Sequence, residues 1–126
     1  MTFDDLALSG AWSLEELMPY DEGLAQRLRE TYGDRRGVVE KKMFGGLAFM
    51  VNGHMSCGVV REELMVRVGP DLYDEAMARP HAREMDFTGR SLKGFVYVAQ
   101  EGFEDDADLA SWVELSLQFV ESLPAK

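Results

Sequence analysis

The sequence predicts one α+β domain, a two-layer sandwich with a mainly antiparallel sheet in the order α-β-β-β-β-α-β-β-α. Two observations lead to this fold class. Apolar residues alternate with a period of two along much of residues 38–68, which is typical of strands with one covered face. The predicted strands also follow one another as hairpins instead of alternating singly with helices. The length of 126 residues, 46% of them apolar, fits a single globular domain.

The first 17 residues are predicted to precede the main domain. Ser13-Leu14-Glu15-Glu16 has the spacing of a capping box, which favours one or two helical turns before Pro19. A frayed tail is the alternative. We therefore expect residues 1–17 to form an N-terminal extension and residues 18–126 to form the domain.

The first full helix is predicted from Asp21 to Tyr32. Asp21 can cap its start, and Leu24 and Leu28 continue the apolar face that ends at Tyr32. Gly33 is placed to end it.

A four-stranded meander is predicted next. Its strongest signal is Asn52-Gly53, a dipeptide typical of two-residue hairpin loops. A bend at Gly45-Gly46 and a tight turn at Arg61-Glu62 supply the other two connections. The predicted strands are Val38–Phe44, Leu47–Val51, Met55–Val59 and Leu64–Val68.

The second half of the chain is predicted to contain two helices and a hairpin. Gly69-Pro70-Asp71 is expected to start a helix that Pro80 ends, because proline suits the first helical position. Two short strands follow, joined by a turn at residues 88–90. The acidic residues 101–106 are expected to cap a last helix. These elements are predicted at Arg83–Phe87, Gly94–Ala99 and Ala107–Leu123.

Charge and composition exclude several functional classes. The net charge is −10, with the acids concentrated at both ends, and residues 35–94 carry ten bases and eight acids. Such a chain is a poor candidate for binding DNA unaided, since affinity for nucleic acid comes largely from phosphate neutralisation. The single cysteine excludes an intrachain disulfide. The acidic N-terminus does not resemble a signal peptide, and no apolar run reaches the roughly 20 residues of a membrane span, so we expect a cytoplasmic protein.

No catalytic residue, metal site or cofactor is predicted. Gly45-Gly46 can present backbone N–H groups to an anion, but the phosphate-loop and dinucleotide motifs are absent, and we interpret the pair as a bulge that lets strands pack. His54 and Cys57 are predicted to lie on opposite faces of one strand, which does not suit zinc. His54 and Ser56 are expected to share a face, but no nucleophile elbow surrounds them.

Four segments together resemble the N-terminal domain of the TfoX/Sxy family over about residues 18–123. They are Tyr20–Arg27, Glu40–Met50, Met65–Gly69 and Met85–Arg90, and the sequences K-K-M-F-G-G and M-D-F-T-G-R are the most specific among them. The resemblance implies a two-layer fold similar to YjbR-like and secretion-chaperone-like domains. The best-known members regulate competence genes together with the cyclic-AMP receptor protein, and they carry a further C-terminal helical domain.

These observations favour a non-enzymatic regulatory or protein-interaction module, such as a transcription co-regulator. The residues expected to make the interaction are Lys41, Lys42, Phe44, Gly45, Gly46, Arg67 and Arg90. Eight methionines suit an adaptable binding surface, although most are expected in the core. The alternatives are direct nucleic-acid binding through a central basic patch and a small-ligand site or minor enzyme with a pocket between sheet and helices. A homodimer is also plausible from the sheet edges.

Overall fold

The computed structural model describes residues 20–43, 45–87 and 90–125, with the backbone alone at 86–87 and 90–93. The predicted order of three helices and six strands is confirmed within these ranges. A short 3-10 turn over Gln100–Gly102 precedes the last helix. The elements are α1 (Glu22–Tyr32), β1 (Val38–Met43), β2 (Gly46–Val51), β3 (His54–Val60), β4 (Glu63–Arg67), α2 (Tyr73–Met77), β5 (Ala82–Phe87), β6 (Arg90–Val98) and α3 (Asp106–Val120).

The six strands form one open antiparallel sheet in the order β1-β2-β3-β4-β6-β5. The predicted hairpin at Asn52-Gly53 is confirmed, since Val51 pairs with His54 across it. Asn52 and Gly53 have φ values of 53° and 87°, the positive angles that this loop requires. Arg61 turns β3 into β4 with a φ of 56°.

All three described helices contact one side of the sheet, which we call the helix face. The first and last helices pack over the middle strands, and α2 packs over β5 and β6. Asp21 caps α1 by accepting hydrogen bonds from the N–H groups of Gly23 and Leu24, as predicted. The buried core between the layers includes Leu24, Leu28, Tyr32, Phe49, Val51, Cys57, Val59, Leu64, Val66, Val96, Val98, Leu109, Trp112, Val113 and Leu117.

Two element boundaries were predicted wrongly. The middle helix begins at Tyr73, so Pro70 lies in a turn instead of the first helical position. Gly69, which precedes this turn, has a φ of 80°, and a β-carbon there would collide with the Phe119 ring. Strand β6 begins at Arg90 and continues through Gly94, whose positive φ accommodates a local irregularity.

The last helix starts and ends near its predicted bounds. The Arg27 side chain anchors its start from α1, donating to the Phe103 carbonyl oxygen at 2.7 Å and to Asp106 at 3.1 Å. Among the described helices, none has the length and apolar composition needed to cross a membrane. The predictions for residues 1–17, Phe44 and the turn at 88–89 lie outside the described residues.

Gly46 offers a test of the close packing between β2 and β3. A β-carbon at this position would collide with the backbone carbonyl oxygen of Val59, which cannot move aside as a flexible side chain does. We expect Gly46→Ala to lower the free energy of unfolding by about 1–3 kcal/mol, measured by urea denaturation.

Gly45 is the matched control for this substitution. It has a φ of 75° but open space around the position of a β-carbon. Asparagine tolerates this conformation, so Gly45→Asn should cost about 1 kcal/mol or less. An equal loss for the two variants would contradict a steric role for Gly46.

Candidate functional site

A chain of buried hydroxyl groups joins α1, β3 and α3. The Tyr32 hydroxyl donates to the Ser56 oxygen at 2.7 Å, and Ser56 lies 2.8 Å from the Ser116 oxygen. The Tyr32 ring also stacks on Phe49 with 5.3 Å between the ring centroids. Ser56 and Ser116 have no exposed surface, so these hydrogen bonds satisfy polar atoms that would otherwise be buried without partners.

A β-bulge in β3 places the Ser56 side chain among these hydrogen-bonded hydroxyl groups. Phe49 pairs with Cys57 but the next residue of β2 pairs with Met55, which leaves Ser56 as the extra residue. The bulge corrects one sequence prediction. His54 and Cys57 both lie on the helix face, because their partners on β2 are Val51 and Phe49, two residues apart.

Sharing a face does not make His54 and Cys57 a metal site. The His54 ring nitrogen Nε2 lies 2.6 Å from the carbonyl oxygen of Pro124. Within the described residues, no group of three His, Cys, Asp or Glu side chains converges to hold a metal ion. Burial raises the pKa of Cys57 to about 11 and the pKa of Tyr32 well above its usual range, so neither group is an activated nucleophile.

A surface cleft of about 280 Å³ lies where α3 meets the loop before β5. The Arg79 guanidinium occupies one wall, 4.7 Å from the Trp112 ring centroid, and donates to the Ser111 hydroxyl at 3.0 Å. Acidic side chains lie beside it. The arginine is therefore already engaged within the fold, and the cleft is lined by Arg79, Pro80, His81, Glu101, Gly102, Asp108 and Trp112.

The basic residues singled out in the sequence do not form one cluster. Lys41 and Arg67 share the side of the sheet opposite the helices, but their strands are three spacings, about 14 Å, apart, and Arg67 lies two residues further along β4 than the residue in line with Lys41. Lys42 points to the helix face, since it pairs with Leu47. Arg90 is the first residue of β6, where only its backbone is described.

The two predicted glycines have structural roles. Gly45 supplies a positive φ in the β1–β2 turn, and Gly46 allows β2 to approach β3 closely. Phe44, between them and β1, lies outside the described residues.

The side of the sheet opposite the helices, which we call the open face, carries a continuous row of residues. The strand register aligns one residue from each strand across the whole sheet. The row has basic residues at both ends and small or apolar residues between them. From one edge to the other it reads Lys41, Ala48, Gly58, Met65, Tyr97 and Arg83.

Methionines concentrate on this face. Six of the eight methionines fall within the described residues, and of these Met77 packs against the core between the two layers. Met65 and Met85 are also buried, so the expectation that most methionines lie in the core stays a prediction. Strand alternation places the other five on the open face with Phe95 and Tyr97, and they are Met43, Met50, Met55, Met65 and Met85.

The centre of the open face is well packed and its β1 edge is bare. Met65 is 5% exposed and Ala48 is 2% exposed, whereas Val39 on β1 is 61% exposed. A β-carbon built on Gly58 would lie 2.9 Å from the Met65 methyl carbon, so Met65 covers the space left by the glycine.

Three cations border the methionines, and we call Lys41, Arg67 and Arg83 the basic rim. Arg67, the last residue of β4, lies between two aromatic rings, 5.6 Å from the centroid of Phe95 on the open face and 5.2 Å from that of Phe119 on α3, so it sits at the end of the sheet where the two sides meet. Arg83 stacks on Tyr97 at 4.7 Å and forms an ion pair with Glu63. Their aliphatic stems thus extend the apolar surface while their charges remain at its border.

Several other arginines are paired with acids elsewhere. Arg29 bridges Glu22 and Glu40, which holds the pKa of the Glu40 carboxyl below its usual range. Arg27 pairs with Asp106 and Arg35 with Glu121. These pairs reduce the positive charge that the described surface can offer to phosphate groups.

The arrangement of a glycine-linked β1–β2 hairpin within a six-stranded sheet covered by three helices agrees with the resemblance noted in the sequence. The family model of the TfoX N-terminal domain matches residues 30–120. The chain belongs to this family. No curated protein and no solved structure matches the chain. In this TfoX N-terminal domain, the open face therefore has to be interpreted from its own residues.

The sequence predictions include no site on the open face, although the signal for that face is present in the sequence. Alternation already separates Met50, Met55 and Met65 from the core residues of their strands. Alternation does not show on which side of the sheet the helices pack. The position of the helices decides which of the two apolar faces is the core.

The buried thiol predicts a pH dependence of stability. The pKa of Cys57 is about 11 in the folded protein and 9.0 as its reference value, so the unfolded chain loses this proton first. The protonated thiol therefore contributes fully to the free energy of unfolding below pH 9. As the pH rises toward 11, the free energy of unfolding should fall by about 2–3 kcal/mol. Urea denaturation between pH 8 and 11 should show this fall.

Cys57→Ala tests the effect. The variant should be less stable at pH 8 because it loses packed atoms, but its stability should decline less steeply between pH 9 and 11. Cys57 also helps to raise the pKa of Tyr32, so the variant loses part of the Tyr32 contribution in the same direction. Identical slopes in the two proteins would contradict the assignment to Cys57.

Proposed function

We propose that this TfoX N-terminal domain protein is a protein-interaction module without catalytic activity of its own, which binds a partner protein through the open face. The observation that carries the proposal is the grouping of five methionines, Phe95 and Tyr97 on a sheet face that none of the described helices covers. Its membership of the TfoX N-terminal domain family, whose best-known members regulate competence genes, supports a role in regulating transcription in the cytoplasm.

Methionine gives this face the properties of a binding surface. Its side chain is unbranched and polarizable, so a methionine-rich surface adapts its shape to a ligand. The accessible part of this face lies toward β1, where Met43, Met50 and Met55 are half-buried and Val39 is exposed, while Met65 and Met85 are buried. Apolar surface bordered by charged residues marks interaction sites.

The charges of the basic rim indicate the chemistry of the partner. Lys41 and Arg67 have no ion pair with a described acid, while Arg83 is paired with Glu63. An amphipathic segment with apolar side chains along its centre and acidic residues at its flanks would complement this surface. A nucleic acid fits less well, because the centre of the surface is apolar and the rim cations lie far apart.

Site-specific cross-linking tests this surface. A photoreactive amino acid replacing Tyr97 or Met50 in the full chain, expressed in its native cells, should form a covalent adduct with the same partner polypeptide. The matched control replaces Gln118, which is exposed on α3, and should give no such adduct.

Charge substitutions on this face should change the yield of the cross-linked adduct in a predictable direction. Met55→Glu places a carboxylate on the apolar face, and we expect the Tyr97 adduct yield to fall about tenfold, the change that 1.4 kcal/mol produces. Lys41→Glu should lower it several-fold by opposing an acidic partner. Equal adducts from Gln118, or adducts with nucleic acid instead of protein, would contradict the proposal.

A further inference from the structure

We propose that the free edge of β1 binds an extended, acidic segment of a partner protein, which adds to the sheet as a seventh strand. The inference rests on the proposed function in one respect, since it specifies how a partner reaches the accessible part of the open face. It adds the backbone conformation of the bound segment and the pattern of charges that the segment carries.

Strand β1 ends the sheet with a row of outward-facing backbone groups. Among the described strands it pairs with β2 alone. The Asn52 N–H donates to the Gly37 carbonyl oxygen at 3.0 Å. This bond fixes the alternation, because successive residues of an antiparallel strand direct their polar groups to opposite sides. The N–H and C=O groups of Val38, Glu40 and Lys42 therefore point away from β2, where an added strand can bond to them.

The side chains of β1 give this edge a positive charge. Lys41 and Lys42 are exposed, and neither forms an ion pair with a described acid. Glu40 does not cancel them, because the Arg29 guanidinium holds its carboxylate with hydrogen bonds of 2.7 and 2.8 Å. Lysines on a sheet edge discourage pairing with most strands. Acids opposite the two lysines would instead stabilise the pairing, which makes the edge selective.

Apolar surface continues from this edge onto the open face. Val39 is 61% exposed. The strand register places it beside Met50, which lies beside Met55, and both methionines are half-buried. Val39 directs its own N–H and C=O groups to β2, so a residue opposite it belongs to a non-hydrogen-bonded pair, in which side chains approach most closely. An apolar residue at that position of the added strand would extend this apolar row.

The two faces of β1 determine the sequence pattern of the added strand. Val39 and Lys41 lie on the open face, and Lys42 lies on the helix face. The added strand therefore has an apolar residue opposite Val39 and an acid opposite Lys41, two positions apart. A second acid, next to the first, lies opposite Lys42. In the antiparallel direction this pattern reads acid, acid, any residue, apolar residue.

A second copy of this strand fits the edge less well. Two-fold symmetric antiparallel pairing of β1 with itself places one residue opposite its own copy. In the registers that pair most of the strand, that residue is Glu40 or Lys41. Like charges directly opposite each other destabilise strand pairing. The edge therefore favours an acidic partner segment over a symmetric dimer.

Binding of a designed peptide to the full chain tests the proposal. The probe is acetyl-Val-Glu-Glu-Thr-Val-Thr-amide, which places its acids opposite Lys42 and Lys41 and its second valine opposite Val39. In an NMR titration, about 1 mM free peptide half-saturates a site whose Kd is about 1 mM. We expect concentration-dependent shifts of the Val38, Glu40 and Lys42 amide signals, and several-fold slower exchange of these amide protons with solvent.

Two N-methylated peptides separate strand addition from simple attraction between charges. A methyl group on the first threonine nitrogen removes the donor to the Glu40 carbonyl oxygen, and we expect binding to weaken by about tenfold. The second valine nitrogen points away from the protein, so a methyl group there should leave the affinity nearly unchanged. A peptide with lysines in place of the two glutamates should not bind.

Lys42→Glu distinguishes strand addition from docking on the open face alone. Because Lys42 lies on the helix face, it contacts an added strand but not a ligand confined to the open face. We expect Lys42→Glu and Lys41→Glu each to weaken peptide binding several-fold. Gln118→Glu, an exposed substitution on α3, is the matched control and should leave binding unchanged.

Three outcomes would overturn the proposal. They are β1 amide signals that do not shift at this peptide concentration, equal weakening by the two N-methyl groups, and peptide binding that Lys42→Glu leaves intact. The peptide measurements need no native partner. If any of these results accompanies a cross-linked adduct from Met50, the proposed function stands and strand addition is excluded.

Discussion

The hydrogen-bonded chain of Tyr32, Ser56 and Ser116 connects the end of α1, the middle of the sheet and the last helix through atoms that no solvent reaches. It depends on the bulge in β3, which adds one residue opposite Phe49 and turns a serine toward the helices. A buried polar group without partners costs free energy, so this network favours one arrangement of the three elements over alternatives of similar apolar packing. The helices are thereby committed to one side of the sheet.

That commitment leaves the sheet with two unlike faces. The helix face is built from branched aliphatic residues such as Val59, Val66 and Val96, which pack into one core. The open face is built mostly from methionine over small residues such as Ala48 and Gly58. Branched side chains define a unique packing, while unbranched ones adapt to what they contact. The type of apolar residue on each face of the strands therefore distinguishes the permanent core from the adaptable surface.

Local signals in the sequence predicted much of the fold. Asp21, Gly33 and Asn52-Gly53 act through their immediate neighbours, and the helix start, helix end and hairpin they predict are confirmed. The failures involve distant residues. The shared face of His54 and Cys57 depends on a bulge that period-two alternation does not contain. The open face was not predicted as a site, because defining it requires knowing on which side of the sheet α1 and α3 pack.

The small residues under Met65 have a consequence for how this surface would discriminate among ligands. A β-carbon built on Gly58 would lie 2.9 Å from the Met65 methyl carbon, so the unbranched Met65 side chain fills the space above the glycine. A surface of this kind tolerates apolar ligands of many shapes at its centre, so the apolar contacts contribute to affinity more than to specificity. Selectivity then falls to the few fixed charges at its border, and Arg67, held between two aromatic rings, is the most rigidly placed of them.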